Sequence, residues 1–319
     1  MKSAIRNSVS AQSAILITVE LHPLLQQGLE AHGYAVHYRP CISAAEVLEI
    51  IEHYTGLIIN SKVYAGKELL AKATQLKFVA RAGSGLEVID LEEAKKKGVA
   101  IINSPEGNRN AVAEQALGML LSIMNNLPRA YEQIKNSEWV REPNRGNELS
   151  GKTIGLLAYG NTAQAFAKLL SGFEVKVLAY DKYLKNFSSG FVKEATLTEI
   201  FGQADVLSIH LPLTNETEWL VDYQFLSSFK KPVWLVNTSR GKVLKTTGLL
   251  RALHEGKVTA AALDVLENEK LASFTEAEKQ TFNALIEDNR ILLSPHIAGW
   301  THESKQKIAE VLLQKILAL

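Results

Sequence analysis

The sequence has almost nothing with which to crosslink itself. Among 319 residues there is one cysteine, Cys41, so no internal disulfide framework exists and a reducing, cytoplasmic setting is expected. An excess of either charge is also missing. With 35 basic against 34 acidic side chains, the formal net charge is +1. That balance argues against nucleic acid or an anionic membrane as the main partner. No apolar run reaches the roughly 18 residues that span a bilayer. Internal repeats, low-complexity tracts and heptad runs are absent as well.

What remains is a composition of 46% hydrophobic and 22% charged residues, that of a soluble globular protein. The length suffices for two lobes, each with its own core. Met1–Ser13 is Ser-rich and carries Lys2 and Arg6 without an acid. The apolar run Ala14–Val19 that follows stops at Glu20, too soon for a secretory signal. The expected reading is a disordered tail before a first strand.

Short apolar strands then alternate with helices. Strands are expected at Ala14–Val19, Ala35–Tyr38, Gly56–Asn60, Phe78–Ala80 and Val99–Ile102, and helices at His22–His32, Ser43–His53, Gly66–Ala73 and Leu91–Lys97. A long apolar helix is expected over Asn110–Asn126, followed by a polar stretch, Asn136–Ser150. A second alternation runs from Lys152 to Leu293, and one last helix closes the chain over His302–Ala318. The fold class is α/β, with parallel sheets covered by helices on both faces.

Two motifs carry chemistry. In the first, a strand over Lys152–Ala158 runs into Tyr159-Gly160-Asn161-Thr162-Ala163, and residues 158–163 align with G-x-G-x-x-G as A-x-G-x-x-A. Gly160 keeps the position where backbone must approach a pyrophosphate, and Ala163 is an accepted third residue. Asp181 ends the next strand, about 20 residues on, where an acid holds the adenosine ribose and selects NAD over NADP. The second motif is dispersed: Arg240 in Asn237–Gly241, Glu269, and His296 in Ser294-Pro295-His296. Arginine clamps a carboxylate with a two-pronged hydrogen bond, and a histidine paired with an acid moves protons near neutral pH. Each residue alone is most simply a surface charge or a structural hydrogen-bonder. Together, each just past a strand, they suit hydride transfer on a 2-hydroxy acid.

The chain resembles the D-isomer-specific 2-hydroxyacid dehydrogenases of the phosphoglycerate dehydrogenase type. Segments that carry the resemblance include Arg81–Asp90, Asn110–Glu114, Glu148–Thr153, His210–Thr214, Asn237–Gly241, Ala262–Val265 and Ser294–Thr301. The resemblance implies two doubly wound Rossmann-like domains. A discontinuous substrate domain, residues 1–107 and 296–319, would receive an inserted NAD-binding domain, residues 108–295. Arg240 would bind the substrate carboxylate, His296 would be the general acid–base, and Glu269 would orient it. Backbone amides of Ser84 and Gly85 would hold the carboxylate from the other lobe, with Lys62 near the substrate. Tyr159, Gly160, Asn161, Thr162, Ala163 and Asp181 would take NAD, Thr238 and Asp264 would line the nicotinamide pocket, and His210 and Pro212 would flank the adenine. No metal is assigned. The resemblance also implies a homodimer, with an arm around Trp139–Asn147, and a short form without a regulatory domain.

Two positions depart from the family pattern. Asn60 stands where phosphoglycerate enzymes often carry arginine, and offers no cationic fork to a phosphate; Lys62 or Arg109 would substitute. Ala158 stands where the turn usually has glycine. The first substrate expected is 3-phosphoglycerate. Alternatives are a reductase of glyoxylate, hydroxypyruvate or another 2-keto acid, and a non-enzymatic NAD-sensing binding protein, because fold alone does not fix function.

Overall fold

The computed structural model describes residues 13–319, so the tail expected over Met1–Ser13 lies, but for Ser13, outside the described residues. Along the chain the elements are β1 (Ala14–Ile17), α1 (Pro23–Ala31), β2 (Ala35–Tyr38), α2 (Ala44–Ile50), β3 (Gly56–Ile59), α3 (Lys67–Lys72), β4 (Phe78–Arg81), α4 (Leu91–Lys96), β5 (Ala100–Asn103) and α5 (Pro105–Met124). Then come α6 (Leu127–Lys135), β6 (Thr153–Leu157), α7 (Asn161–Leu170), β7 (Lys176–Tyr180), β8 (Val192–Glu194), α8 (Leu197–Gln203), β9 (Val206–Ile209), α9 (Tyr223–Ser227) and β10 (Val233–Asn237). The last are α10 (Thr246–His254), β11 (Val258–Leu263), α11 (Glu276–Glu287), β12 (Ile291–Leu293) and α12 (His302–Leu317). They form two compact units, the first built from the chain up to Asn108 and from His302–Leu319, the second from Arg109–Thr301.

The first unit is a five-stranded parallel sheet in the order β2-β1-β3-β4-β5. Its strands are short and apolar because both faces are covered. One face packs Leu16, Leu57 and Val79 against α2, α3 and α4; the other packs Ile15, Ile58 and Ile102 against α1 and α12. Ser43 caps α2 through a reciprocal capping box with Glu46. The terminal helix α12 belongs to this unit. A Cβ at Gly28 would lie 2.3 Å from the Leu313 Cδ2, so glycine at 28 leaves room for the Leu313 side chain of α12 against α1. Lys315 ties α12 to Glu106 at 2.9 Å.

The second unit is a seven-stranded parallel sheet in the order β12-β11-β10-β9-β6-β7-β8. The order reverses between β6 and β9, and ligands bind outside the carboxyl ends of strands at such a reversal. Phe166, Leu170 and Met119 cover one face, and Ile200, Leu226 and Leu249 the other.

Five features differ from the sequence expectation. Helix α5 starts at Pro105 rather than Asn110, since proline at the first helical position gives up only an N–H that would be unpaired anyway. β8, α6 and α11 were not anticipated: β8 has three residues, α6 buries none of its side chains, and α11 buries only Leu285. Finally, the chain returns to the first unit at His302, past the expected His296. The reason is local. Residues 294–298 are held to Asp264 of the second unit by side-chain and backbone hydrogen bonds.

Candidate active site

At the sheet reversal, β6 ends and the chain turns through Ala158, Tyr159 and Gly160 into α7. Ala158 takes φ +73, a left-handed conformation in place of the expected glycine. Its N–H still donates to the Tyr180 carbonyl at 2.8 Å, so the turn forms with alanine in place. Gly160 is the N-cap of α7 and no side chain caps the helix. A Cβ built on Gly160 meets nothing within 4 Å. The first amides of α7, from Asn161, Thr162 and Ala163, thus stand at an open, uncapped helix end that suits a pyrophosphate. Ala163 itself is fully buried.

Asp181 follows β7 and closes this turn. Its Oδ2 accepts from Tyr159 N–H and its Oδ1 from Tyr183 and Leu184 N–H, each at 2.9 Å. Burial pushes the carboxyl up, but the amides of Leu184, Tyr159 and Tyr183 and the charge of Lys185 outweigh it and hold it below the usual range. The acid is fixed as an anion at the place an adenosine ribose would need it. Neighbouring Lys182 is held by Glu216 at 2.8 Å.

His210, expected beside the adenine, is instead a core residue by its side chain. Only 8% of it is exposed, and its ring nitrogens hydrogen-bond with Thr162 Oγ1 at 3.2 Å and Ser208 Oγ at 2.9 Å. Burial lowers its pKa to about 3, so the ring is neutral. It ties the first turn of α7 to β9. Pro212 is exposed two residues on, and its carbonyl accepts from Thr217 Oγ1.

Three further strands deliver the polar residues. At the end of β10, Asn237 is buried and its Oδ1 accepts from Ser239 N–H and Oγ, shaping the loop that presents Arg240. Arg240 Nη1 donates to the Ser239 carbonyl at 2.7 Å. Thr238 has a buried Oγ1 without a hydrogen-bond partner. An orphaned buried hydroxyl two residues before Arg240 is a group a bound cofactor can satisfy. Gly241 lies so close to the next loop that a Cβ there would be 1.8 Å from the Leu266 carbonyl oxygen. Glycine therefore lets the Arg240 loop and the Glu269 loop share one edge.

Past β11, three acids in six residues take three separate tasks. Asp264 is 1% exposed and bonds the 294–298 segment. Glu267 Oε1 accepts from Thr246 N–H at the start of α10. Glu269 Oε2 accepts from His296 Nδ1 at 2.8 Å, with roughly half of each side chain in solvent. With Nδ1 so engaged, Nε2 is the nitrogen left to exchange a proton with a substrate.

The first unit carries its own set at the carboxyl edge of its sheet. After β3, Lys62 is exposed and its N–H donates to Asn60 Oδ1 at 3.0 Å. After β4, Ser84 Oγ donates to Asn108 Oδ1 at 2.9 Å and the Ser84 carbonyl accepts from Asn103 Nδ2 at 2.7 Å. Gly85 is the next residue of this loop. Among the described residues no group of three or more His, Cys, Asp or Glu could hold a metal ion, and no helix is long and apolar enough to cross a membrane.

Comparison with known proteins bears on the family. Residues 117–298 match the family model described as D-isomer specific 2-hydroxyacid dehydrogenase, NAD binding domain. D-3-phosphoglycerate dehydrogenase of Bacillus subtilis is 32% identical over 277 residues, 86% of this chain and 51% of that protein. Hydroxypyruvate reductase of Thermotoga maritima is 32% identical over 271 residues, 85% of this chain and 86% of that protein. The chain spans about half the length of the phosphoglycerate dehydrogenases it matches, and most of the length of the hydroxypyruvate reductase. Among solved structures, D-lactate dehydrogenase of Aquifex aeolicus, in complex with NAD and lactic acid, superposes with a TM-score of 0.82 at 25% identity, covering 96% of this chain and 95% of that one.

Proposed function

The chain belongs to the D-isomer specific 2-hydroxyacid dehydrogenase family, with an NAD-binding domain over residues 117–298, and on that premise we propose that it interconverts a D-2-hydroxy acid and its 2-keto acid. The observation that carries this reading is the 2.8 Å contact of His296 Nδ1 with Glu269, on the same sheet edge as Arg240. A pure NAD sensor has no use for a histidine so oriented.

The residues present fit NAD. The uncapped start of α7 and the open face of Gly160 would receive the pyrophosphate, Asp181 the ribose, and the orphaned Thr238 hydroxyl a polar group of the nicotinamide end. When bound, NAD supplies or accepts the hydride. The protein's part is then positional and protic. Arg240 fixes the substrate carboxylate and stabilises charge on the keto oxygen. His296 Nε2 gives its proton to that oxygen in reduction and takes it back in oxidation. Glu269 holds the ring by Nδ1 and stabilises its protonated form through the opposite charge. Ser84 and Gly85 would offer backbone amides for the carboxylate, and Asp264, just past β11, would line the nicotinamide end.

For the substrate we take 3-phosphoglycerate first, because similarity to those enzymes spans 86% of the chain. Lys62 would be the cation for its phosphate. Hydroxypyruvate or glyoxylate is the second reading, favoured by Asn60, whose side-chain oxygen is already engaged by Lys62 N–H. The test is NADH and NADPH oxidation with phosphohydroxypyruvate, hydroxypyruvate, glyoxylate and pyruvate. No turnover with any of them removes the enzyme reading. A preference for hydroxypyruvate over its phosphorylated form replaces the first substrate by the second.

A homodimer accords with α6, whose Leu127, Tyr131 and Ile134 are 55%, 65% and 50% exposed and lie at spacings that share one helix face. Trp139, just beyond, is 81% exposed. A monomeric mass by light scattering at micromolar concentration would exclude that dimer. A cytoplasmic location accords with the single cysteine.

A further inference from the structure

We propose that Asp264 is the positioning residue of the acid–base centre: it holds His296 in a backbone conformation the histidine would otherwise leave. The inference rests on the hydride-transfer reading above and assigns Asp264 a role that the nicotinamide pocket does not require.

His296 has φ +56, in the left-handed region that non-glycine residues avoid. Such a conformation persists only where the surroundings over-determine it. Here most of the surroundings are one residue, Asp264, beside a 3.0 Å bond from His296 N–H to the Ser294 carbonyl. β11 and β12 are paired in parallel with Leu263 opposite Leu293, so Asp264 and Ser294 emerge side by side. The Asp264 carbonyl accepts from His296 N–H at 2.8 Å. Its Oδ1 accepts from Ser294 Oγ at 2.6 Å and from Ile297 N–H at 2.9 Å, and its Oδ2 accepts from Ala298 N–H at 2.8 Å. Bonds from Asp264 therefore reach the residues on both sides of His296 and His296 itself. Consecutive amides turned toward one carboxylate form the concave anion cradle that a left-handed residue creates. With Asp264 only 1% exposed, these are charge-assisted bonds shielded from water. They act on the backbone, whereas Glu269 acts on the ring. Glu269 aligns the imidazole only if the Cα of His296 already sits where Asp264 puts it.

Asp264→Asn is nearly isosteric but keeps one acceptor oxygen. Its –NH2 must then face either Ala298 N–H or the Ser294 and Ile297 donors, so at least one bond becomes a donor–donor opposition. Expected for Asp264→Asn is a fall in kcat of about 100-fold, the cost of a small misplacement of a reacting group, with keto-acid KM and NADH Kd within about three-fold of wild type because Arg240 and the α7 turn are untouched. Ser294→Ala removes one donor and keeps the anion, and its kcat should fall about five-fold, as for one hydrogen bond. In the cofactor-free protein, amide hydrogen exchange at Ile297 and Ala298 should quicken in Asp264→Asn. Keeping kcat in Asp264→Asn overturns the proposal, and so does a ten-fold rise in NADH Kd as the main effect, which would make Asp264 a cofactor ligand. Unchanged exchange at Ile297 and Ala298 overturns it without any assay of turnover. Should Asp264→Asn fail to fold, an unaltered kcat in Ser294→Ala does the same. An inactive wild type, by contrast, refutes the hydride-transfer reading and leaves the exchange test of the cradle standing.

Discussion

Lowering the pH should destabilise the second unit through His210, and the size of the effect follows from its burial. The ring is inside the fold, between Phe166, Thr162 and Ser208, and its pKa is lowered to about 3 by desolvation. An unfolded histidine titrates near 6.5. Between these values the unfolded chain carries one more proton than the folded one, so stability rises with pH there and is lost as pH falls from 6.5 toward 3. One proton corresponds to about 1.4 kcal/mol per pH unit, and therefore to about 2.7 kcal/mol between pH 6.5 and 4.5. Carboxylates such as Glu199, held near 2 by hydrogen bonds from Thr196 and by Lys193, contribute with the same sign at lower pH. The comparison to make is therefore wild type against His210→Gln, in which the carboxylates cancel. All four tryptophans, at 139, 219, 234 and 300, lie in the second unit, so their fluorescence in urea follows that unit selectively. The glutamine variant will be less stable at pH 7.5 by a fixed amount. That deficit should shrink by about 2–3 kcal/mol on going to pH 4.5. Parallel stability curves for the two proteins would show that His210 is protonated in the fold, or reached by water, and the reasoning would fail.

Other expectations concern the glycine positions and Asp181. Ala158→Gly should stabilise the second unit by about 0.5–1 kcal/mol in urea, since relief of a left-handed alanine exceeds the entropy glycine adds to the unfolded chain; a less stable variant would show the strain is not there. Gly241→Ala places a methyl against the Leu266 backbone, so it should cost about 1–3 kcal/mol and displace the Glu269 loop, with turnover falling more than NADH affinity; full activity would refute the close approach. Gly160→Ala meets open space, so its melting temperature should stay near wild type while NADH Kd, read by fluorescence titration, rises by about ten-fold or more; unaltered NADH binding would move the pyrophosphate elsewhere. Asp181 should make kcat/KM for NADH exceed that for NADPH, and Asp181→Ser should narrow the ratio; equal use of both by wild type would contradict the role of its fixed carboxylate.

Much of this was legible in the sequence because the strands are short, apolar and each followed by polar residues. The strand ends expected at Ala158, Tyr180 and Leu293 put Gly160, Asp181 and His296 just past carboxyl ends of strands before any coordinates, and the strands end at Leu157, Tyr180 and Leu293. The missed elements lack a buried face. α6 packs no side chain into the core, and α11 commits only Leu285, so neither shows a strong apolar stripe. A local signal for α11 did exist in Thr275 and Glu278, which form a capping box. Partnership was harder to read than position. Asp264, Glu267 and Glu269 are equivalent acids in sequence, and only the fold sends one to a backbone cradle, one to a helix start and one to an imidazole. His210 shows the converse. It follows β9 as expected, yet Thr162 and Ser208 draw the ring into the core.

The two strained residues at the functional edge explain why that edge needs an internal anion. Ala158 follows β6 and His296 lies past β12, and both take positive φ without being glycine. At residue 158 the requirement is on the backbone alone, which must turn sharply toward α7, so a glycine would serve and the strain there is dispensable. At residue 296 the proposed function rules glycine out, because that reading makes the side chain the proton carrier. The strain then has to be held rather than removed, and the holding group must be stronger than a neutral partner. A buried carboxylate with three donors, its own carbonyl taking a fourth, meets that requirement. The same logic accounts for its seclusion from water. An exposed carboxylate would exchange these amides for solvent at little cost, whereas one that is 1% exposed would lose its solvation if it let go.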